Sequence, residues 1–170
     1  AATPRRPPRR FDATRDLLGL RADPSHGSKR AVWRQYDHMV RTNTVLVPGS
    51  DAAVLRLKGT DVLIALSVDG PSRLVAADPF RGGELAIAEA ARNVACAGAR
   101  PVAFTNGLNF GNPDRPGVLW QFAQTVRGIA RGARRLGTPV VSGNVSFFNA
   151  HGGRDIPPTP MIGRVKPPHT

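Results

Sequence analysis

The chain has 170 residues, 41% of them apolar, which is enough for one packed domain and a flanking arm. Its longest apolar run, Val62 to Leu66, is strand-sized, well short of the roughly 18 residues of a membrane span, and no apolar signal segment follows the N-terminal arginines; the expectation is a cytoplasmic protein. The formal charge is +12, half of it in residues 1–35 (nine Lys/Arg against three Asp), which attracts polyanions, while twenty-one arginines against three lysines also fit a coding bias.

Residues 1–10, with three prolines and four arginines, cannot build a core and are expected to be disordered or polyproline-like. Asp12 to Leu20 reads as a short helix capped by Asp12, and Asp23 to Gly27 as a break. The domain division expected is an Arg/Pro-rich arm or linker over 1–30, an α/β half-domain over 31–165 and a truncated tail over 166–170.

Val45 to Val47 and Ala52 to Lys58 look extended, and in the second run Ala53, Leu55 and Leu57 alternate with Val54, Arg56 and Lys58, the period of a half-buried strand. Val62 to Val68 is continuously apolar apart from Ser67, which predicts a strand covered on both faces. A helix is predicted over Gly83–Ala97, with Ile87, Ala91, Val94 and Ala95 as its inner face and Cys96, the lone cysteine, packed. Gly98 ends it and Pro101 prevents its resumption.

Val102 to Thr105 reads as a short strand and 106–116 as a loop. The next helix runs from Pro116 or Gly117 to Leu136. Its inner stripe is Phe122, Val126, Ile129, Ala130, Ala133 and Leu136; Arg127, Arg131, Arg134 and Arg135 lie opposite, by default a solvated face. Pro139 to Val141 is the last clear strand. Residues 156–170, with five prolines, read as the approach to a further segment. The alternation over 62–143 is an α/β pattern with crossover connections, and the earlier extended segments add antiparallel strands. The fold expected is therefore a mixed sheet with two main helices.

Three polar clusters follow the strands: Asp69-Gly70-Pro71-Ser72-Arg73, Asn106 to Asn112, and Ser142-Gly143-Asn144-Val145-Ser146. Each alone reads as an ordinary turn. Together, at one edge of an α/β sheet, they offer amides, hydroxyls and bare backbone for phosphate oxygens and hydrated Mg²⁺. Neither a lysine-bearing P-loop nor a dinucleotide fingerprint is present. The histidines at 26, 38, 151 and 169 have no metal-ligand spacing, and His38 is expected to be structural.

An ordered series of motifs now becomes familiar. Tyr36-Asp37-His38, Pro48-Gly49-Ser50-Asp51, Asp69-Gly70, Asp78-Pro79, Glu89 to Asn93, Leu108-Asn109-Phe110-Gly111-Asn112-Pro113, Trp120-Gln121-Phe122, Gly137 to Ser146 and Pro158-Thr159-Pro160 resemble the large (synthetase) subunit of phosphoribosylformylglycinamidine synthase over about residues 28–165. More narrowly, the chain resembles the N-terminal-type half of that subunit's second α/β copy. The resemblance implies an aminoimidazole ribonucleotide synthetase N-terminal-like fold, half of a β-barrel shared with a partner domain. It implies ATP-dependent conversion of formylglycinamide ribonucleotide to the amidine in purine biosynthesis, with ATP and Mg²⁺ as cofactors. The partners implied are the rest of the synthetase subunit, a glutaminase subunit that supplies ammonia, and a small accessory subunit.

Residue by residue, the resemblance makes Asn106 and Gly143 ATP contacts, Asn144 a Mg²⁺ ligand and Ser146 a substrate contact. It supplies no catalytic residue here, so the chain is expected to be inactive alone. Asn106 stands where the family usually has an aspartate, and Pro71 where an asparagine is usual. Two other readings stay open: a basic nucleic-acid-binding module using residues 1–35 and the Arg127–Arg135 face, disfavoured by the scarcity of aromatics, and a related superfamily kinase or synthetase. Barrel strands left without their counterpart would also favour a homodimer.

Overall fold

A computed structural model describes residues 12–166. The expected arm over 1–10 and the last residues of the tail lie outside that range. Asp12 does cap a helix, α1 (Ala13–Ala22), its carboxylate accepting the Arg15 N–H at 3.0 Å. That helix buries no side chain. A single turn, α2 (Arg30–Trp33), follows it.

The sheet begins with β1 (Thr44–Leu46), β2 (Ala53–Arg56) and β3 (Leu63–Asp69), an antiparallel meander. Then come α3 (Ser72–Ala77), α4 (Pro79–Cys96), β4 (Ala103–Asn109), α5 (Pro116–Arg135) and β5 (Val140–Ser146). A small hairpin, β6 (Ala150–His151) and β7 (Arg154–Asp155), leads to β8 (Thr159–Lys166). The six-stranded order is β1-β2-β3-β8-β4-β5. Since β8 is antiparallel to both β3 and β4, and β4 is parallel to β5, the strands β3, β4 and β5 all end on one edge.

The segment read as an approach to something further is thus a central strand. Pro157, Pro158 and Pro160 argue against a strand interior, because each lacks a ladder donor. Here Pro160 is only the second residue of β8, opposite Leu108, and the rest of the strand pairs normally.

Helix α4 starts at Pro79, four residues before the expected Gly83, because Asp78 caps it by accepting the Arg81 N–H at 3.0 Å and proline suits the first turn. Ile87, Ala91 and Val94 are buried as expected, but Ala95 and Cys96 face solvent, off the stripe that runs through Ala86 and Ala90. In α5 the buried stripe runs through Thr125, Gly128, Ile129, Gly132 and Ala133, so Val126 and Leu136 are turned outward. The cause is backbone contact: a Cβ on Gly128 would lie 2.0 Å from the Phe80 carbonyl oxygen, and one on Gly83 2.5 Å from that of Thr125. The two helices meet where neither has a side chain.

Both helices cover one face of the sheet. Phe104, Leu108, Phe110 and Ile162 pack against Ile87, Ile129 and Ala133, while Val54 and Ala65 pack with Val94 in a second cluster. Val54 therefore faces inward, whereas Ala53 is exposed and Leu55 half-buried, the reverse of the alternation read from the sequence. Among the described residues β3 is covered on one face alone, not on both as expected: Val68 is 69% exposed, and Ile64 and Leu66 are half-buried. The fold is an α/β layer pair whose second sheet face is open among the described residues and apolar over β2 and β3.

Candidate functional site

The polar clusters expected in loops are largely strand. Asn106 to Asn109 complete β4, and Ser142 to Ser146 complete β5. Backbone pairing sets Asn106 beside Gly143, Gly107 beside Asn144 and Asn109 beside Ser146. All four candidate residues thus lie on two adjacent parallel strands, at their C-terminal ends. Asp69 belongs to the same row: it pairs with Ile162, which pairs with Asn106. At roughly 4.8 Å per strand, Asp69 lies about 10 Å from Asn106 and about 14 Å from Gly143.

The site nevertheless divides between two faces, because successive strand residues point to opposite sides. Phe104 and Leu108 point into the helices, so Asn106 and Gly143 belong to the helix-facing side. Asn144 and Ser146 fall on the open side with Gly107 and Asn109. A Cβ placed on Gly107 would lie 3.2 Å from the Asn144 Oδ1, which sets that amide over the Gly107 backbone. Gly143 fits tightly: its Cβ would lie 2.1 Å from Asn106 Oδ1 and 2.6 Å from the Asn106 carbonyl oxygen.

Asn149, which the sequence reading passed over, locks this rim. Its Nδ2 donates to the Phe110 and Ser146 carbonyl oxygens, each at 3.0 Å, and lies 3.1 Å from Ser146 Oγ. It ties the end of β4 to the end of β5 and fixes the Ser146 hydroxyl. Asp155 does the same one step further on, accepting the Asn112 N–H at 3.1 Å and pairing with Arg115 at 2.8 Å. Between them Phe148 adopts φ 60°, a left-handed backbone that costs a non-glycine residue about 1–2 kcal/mol, and its ring is 64% exposed. The letters Phe-Phe-Asn hinted at none of this, since a left-handed residue that is not Gly, Asn or Asp carries no sequence signature.

Beneath the end of β3, Asp69 Oδ1 accepts from the Asn93 amide at 2.6 Å, while Asp69 Oδ2 is buried without a partner among the described residues. Glu89, one turn before Asn93 on α4, is pushed above the ordinary carboxylate range, first by burial and then by the Asp69 charge, with Arg92 opposing. His38 is half-buried with Trp33 edge-on at 5.7 Å, and its carbonyl accepts the Thr44 hydroxyl. It lies on the approach to β1, away from the β4–β5 rim. Among the described residues no group of three or more His, Cys, Asp or Glu is arranged to hold a metal ion. The donors at the rim are the amide of Asn144 and the hydroxyls of Ser142 and Ser146, all oxygens that suit a hard cation.

Residues 49–165 match the family described as AIR synthase related protein, N-terminal domain. The chain belongs to that family. It is 57% identical over 154 residues to the phosphoribosylformylglycinamidine synthase subunit PurL of Moorella thermoacetica, a match covering 91% of this chain and 21% of that protein. The chain therefore spans about a fifth of the length of the curated relatives it matches. Among solved structures, the PurLQS structure from Thermotoga maritima matches with a TM-score of 0.76 at 37% identity, covering 82% of this chain and 23% of that one. T. maritima PurL complexed with ATP matches at 35% identity and a TM-score of 0.71, covering 83% and 23%. The same protein complexed with FGAR matches at 36% and 0.72, again covering 83% and 23%. The resemblance read from the motif series and the α/β fold are both borne out. No helix among the described residues is long and apolar enough to cross a membrane.

Proposed function

We propose that this chain supplies one wall of the nucleotide and substrate site of a cytoplasmic synthetase that converts formylglycinamide ribonucleotide to its amidine with ATP and ammonia. The observation that carries this reading is the alignment of Asn106, Gly143, Asn144 and Ser146 at the ends of two paired strands, in a chain 57% identical to a PurL subunit. Gly143 leaves bare backbone beside the Asn106 amide, a surface on which phosphate oxygens can rest. Ser146, held by Asn149, presents a hydroxyl to the substrate on the open face.

Mg²⁺ fits the rim through the Asn144 carbonyl oxygen. With no carboxylate among Asn144, Ser142 and Ser146, the remaining oxygen ligands would have to come from phosphate and water. When bound, the ion neutralises phosphate charge. Asn106 replaces the aspartate usual in the family with a neutral amide, so its role here is to bond the nucleotide without adding negative charge.

The open sheet face carrying Leu55, Ile64, Leu66 and Val68 is read as the half-barrel surface that a partner domain of the synthetase, or a second copy of this chain, covers. The glutaminase and small accessory subunits belong to the same assembly on this reading. The test is calorimetric titration of the 170-residue chain with ATP in Mg²⁺ and in EDTA. The expected result is Mg²⁺-dependent binding weakened at least about tenfold by Asn144→Ala, with no ammonia-dependent ATP hydrolysis by this chain alone. Binding indifferent to Mg²⁺ and to residue 144, or turnover by this chain alone, refutes it.

A further inference from the structure

Between α4 and α5 lies a groove of about 380 Å³, floored by half-buried Ala88 over the buried Ile87 and Gly132 and flanked by Leu85 and Leu136. Those two leucines are 42% and 47% exposed. One carboxylate, Glu84, serves three guanidinium groups here: Arg131 at 3.1 Å and Arg135 at 3.9 Å from Oε1, and Arg81 at 3.6 Å from Oε2. Arg131 is further fixed over the Phe80 ring, 5.5 Å from its centre. Two positive charges are left over, and with five N–H donors per guanidinium most remain free. Arg81 and Arg135, at the longer distances and 67% and 69% exposed, hold most of that spare capacity.

We propose that this groove docks an acidic, leucine-bearing segment of a partner protein. The apolar floor takes the leucine side chains and the arginine rim takes the flanking carboxylates, an arrangement of the helix-in-groove kind with charge setting orientation. Charge complementarity selects an acidic partner. The apolar floor selects protein over nucleic acid, because the one aromatic ring present already lies under Arg131 and is not a stacking platform for bases. No residue of the β4–β5 rim lines the groove, so the proposal stands independently of the nucleotide reading.

The experiment is fluorescence anisotropy of the whole chain with a labelled peptide, Glu-Glu-Leu-Glu-Asp-Leu-Leu-Glu-Glu. Three competitors accompany it: the same peptide with Ala for Leu, the same with Lys for Glu and Asp, and an oligothymidylate. Binding should survive only in the parent peptide, weaken with added salt, and fall at least about tenfold in Arg81→Glu/Arg135→Glu. Leu85→Asp, which leaves every arginine in place, should weaken it as well, and thermal unfolding checks that each variant stays folded. The proposal is overturned if the parent peptide fails to bind at about 1 mM, or if the alanine peptide binds equally well. It is equally overturned if charge reversal leaves affinity within about twofold, or if the oligonucleotide competes better than the peptide.

Discussion

Gly143→Ala is the sharpest single perturbation of the candidate site. The added methyl would sit 2.1 Å from Asn106 Oδ1, 2.9 Å from Asn106 Cγ and 2.6 Å from the Asn106 carbonyl oxygen, where ordinary contact begins at 3.4 Å. The side-chain conflict can be relieved by rotating Asn106. The backbone conflict cannot, so β5 must move away from β4 by several tenths of an ångström at the position where the two strands pair. Because β5 is an edge strand, with no neighbour on its other side among the described residues, it can yield, and the cost is that of moderate overpacking, about 2 kcal/mol. For a domain of this size that lowers the unfolding midpoint by roughly 4–8 °C.

A double-mutant cycle separates the two conflicts. Asn106→Ala removes Oδ1 and Cγ but keeps the carbonyl, so Gly143→Ala placed in that background should cost about 1 kcal/mol less than in the wild type, yet still a measurable amount. Differential scanning calorimetry on the four proteins reads both values. A Gly143→Ala midpoint within about 1 °C of wild type, or strict additivity in the cycle, would refute the reasoning.

Gly128→Ala should be harsher, about 3 kcal/mol or loss of the folded state, because the Phe80 carbonyl 2.0 Å away belongs to a helix pinned on both sides; urea unfolding measures it. Asn149→Ala should cost about 0.5–1.5 kcal/mol by removing the side-chain donor that the Phe110 and Ser146 carbonyls share, each keeping one backbone N–H partner, and should speed hydrogen exchange in β5 more than in β3. Glu89→Gln should raise stability at neutral pH. A carboxyl raised in the folded state above its ordinary 4.5 is destabilising once ionised, so the benefit opens above about pH 4.5 and vanishes below it. Thermal melts at pH 4 and pH 7.5 decide this, and an equal effect at both rules out the electrostatic cause.

What the sequence made legible, and what it hid, divide along physical lines. Some helix ends announce themselves through punctuation: Gly98, Pro116 and Gly137 mark boundaries that the structure keeps to within a residue or two. The polar clusters were legible as a set, but as loops, and their pairing side by side within β4 and β5 came only with the register of the ladder. The direction in which a face points was not legible. Ala53, Leu55 and Leu57 look like a buried set and Val54 like an isolated intruder, yet the helices lie on the Val54 side. In the same way Val126 and Leu136 look like core, until glycines at 83, 128 and 132 rotate α5 so that backbone meets backbone.

The misreading of the strand face has its origin in the sheet. A sheet whose two faces are both apolar gives no alternation signal, and here the second apolar face is open. Val68 is 69% exposed, and Leu55, Ile64 and Leu66 on the same face are only half-buried, an apolar patch that asks for a cover. The ambiguity in the pattern therefore carries information: apolar residues on both faces, with helices enough for only one, are what a sheet looks like when its other cover is supplied by a different domain or a second chain. On this argument Val68→Lys should cost the isolated chain under about 0.5 kcal/mol while abolishing whatever assembly the open face supports, and sedimentation against thermal stability separates the two. A large loss of stability in the isolated chain would mean that the face is covered from within, and the half-barrel reading would fail with it.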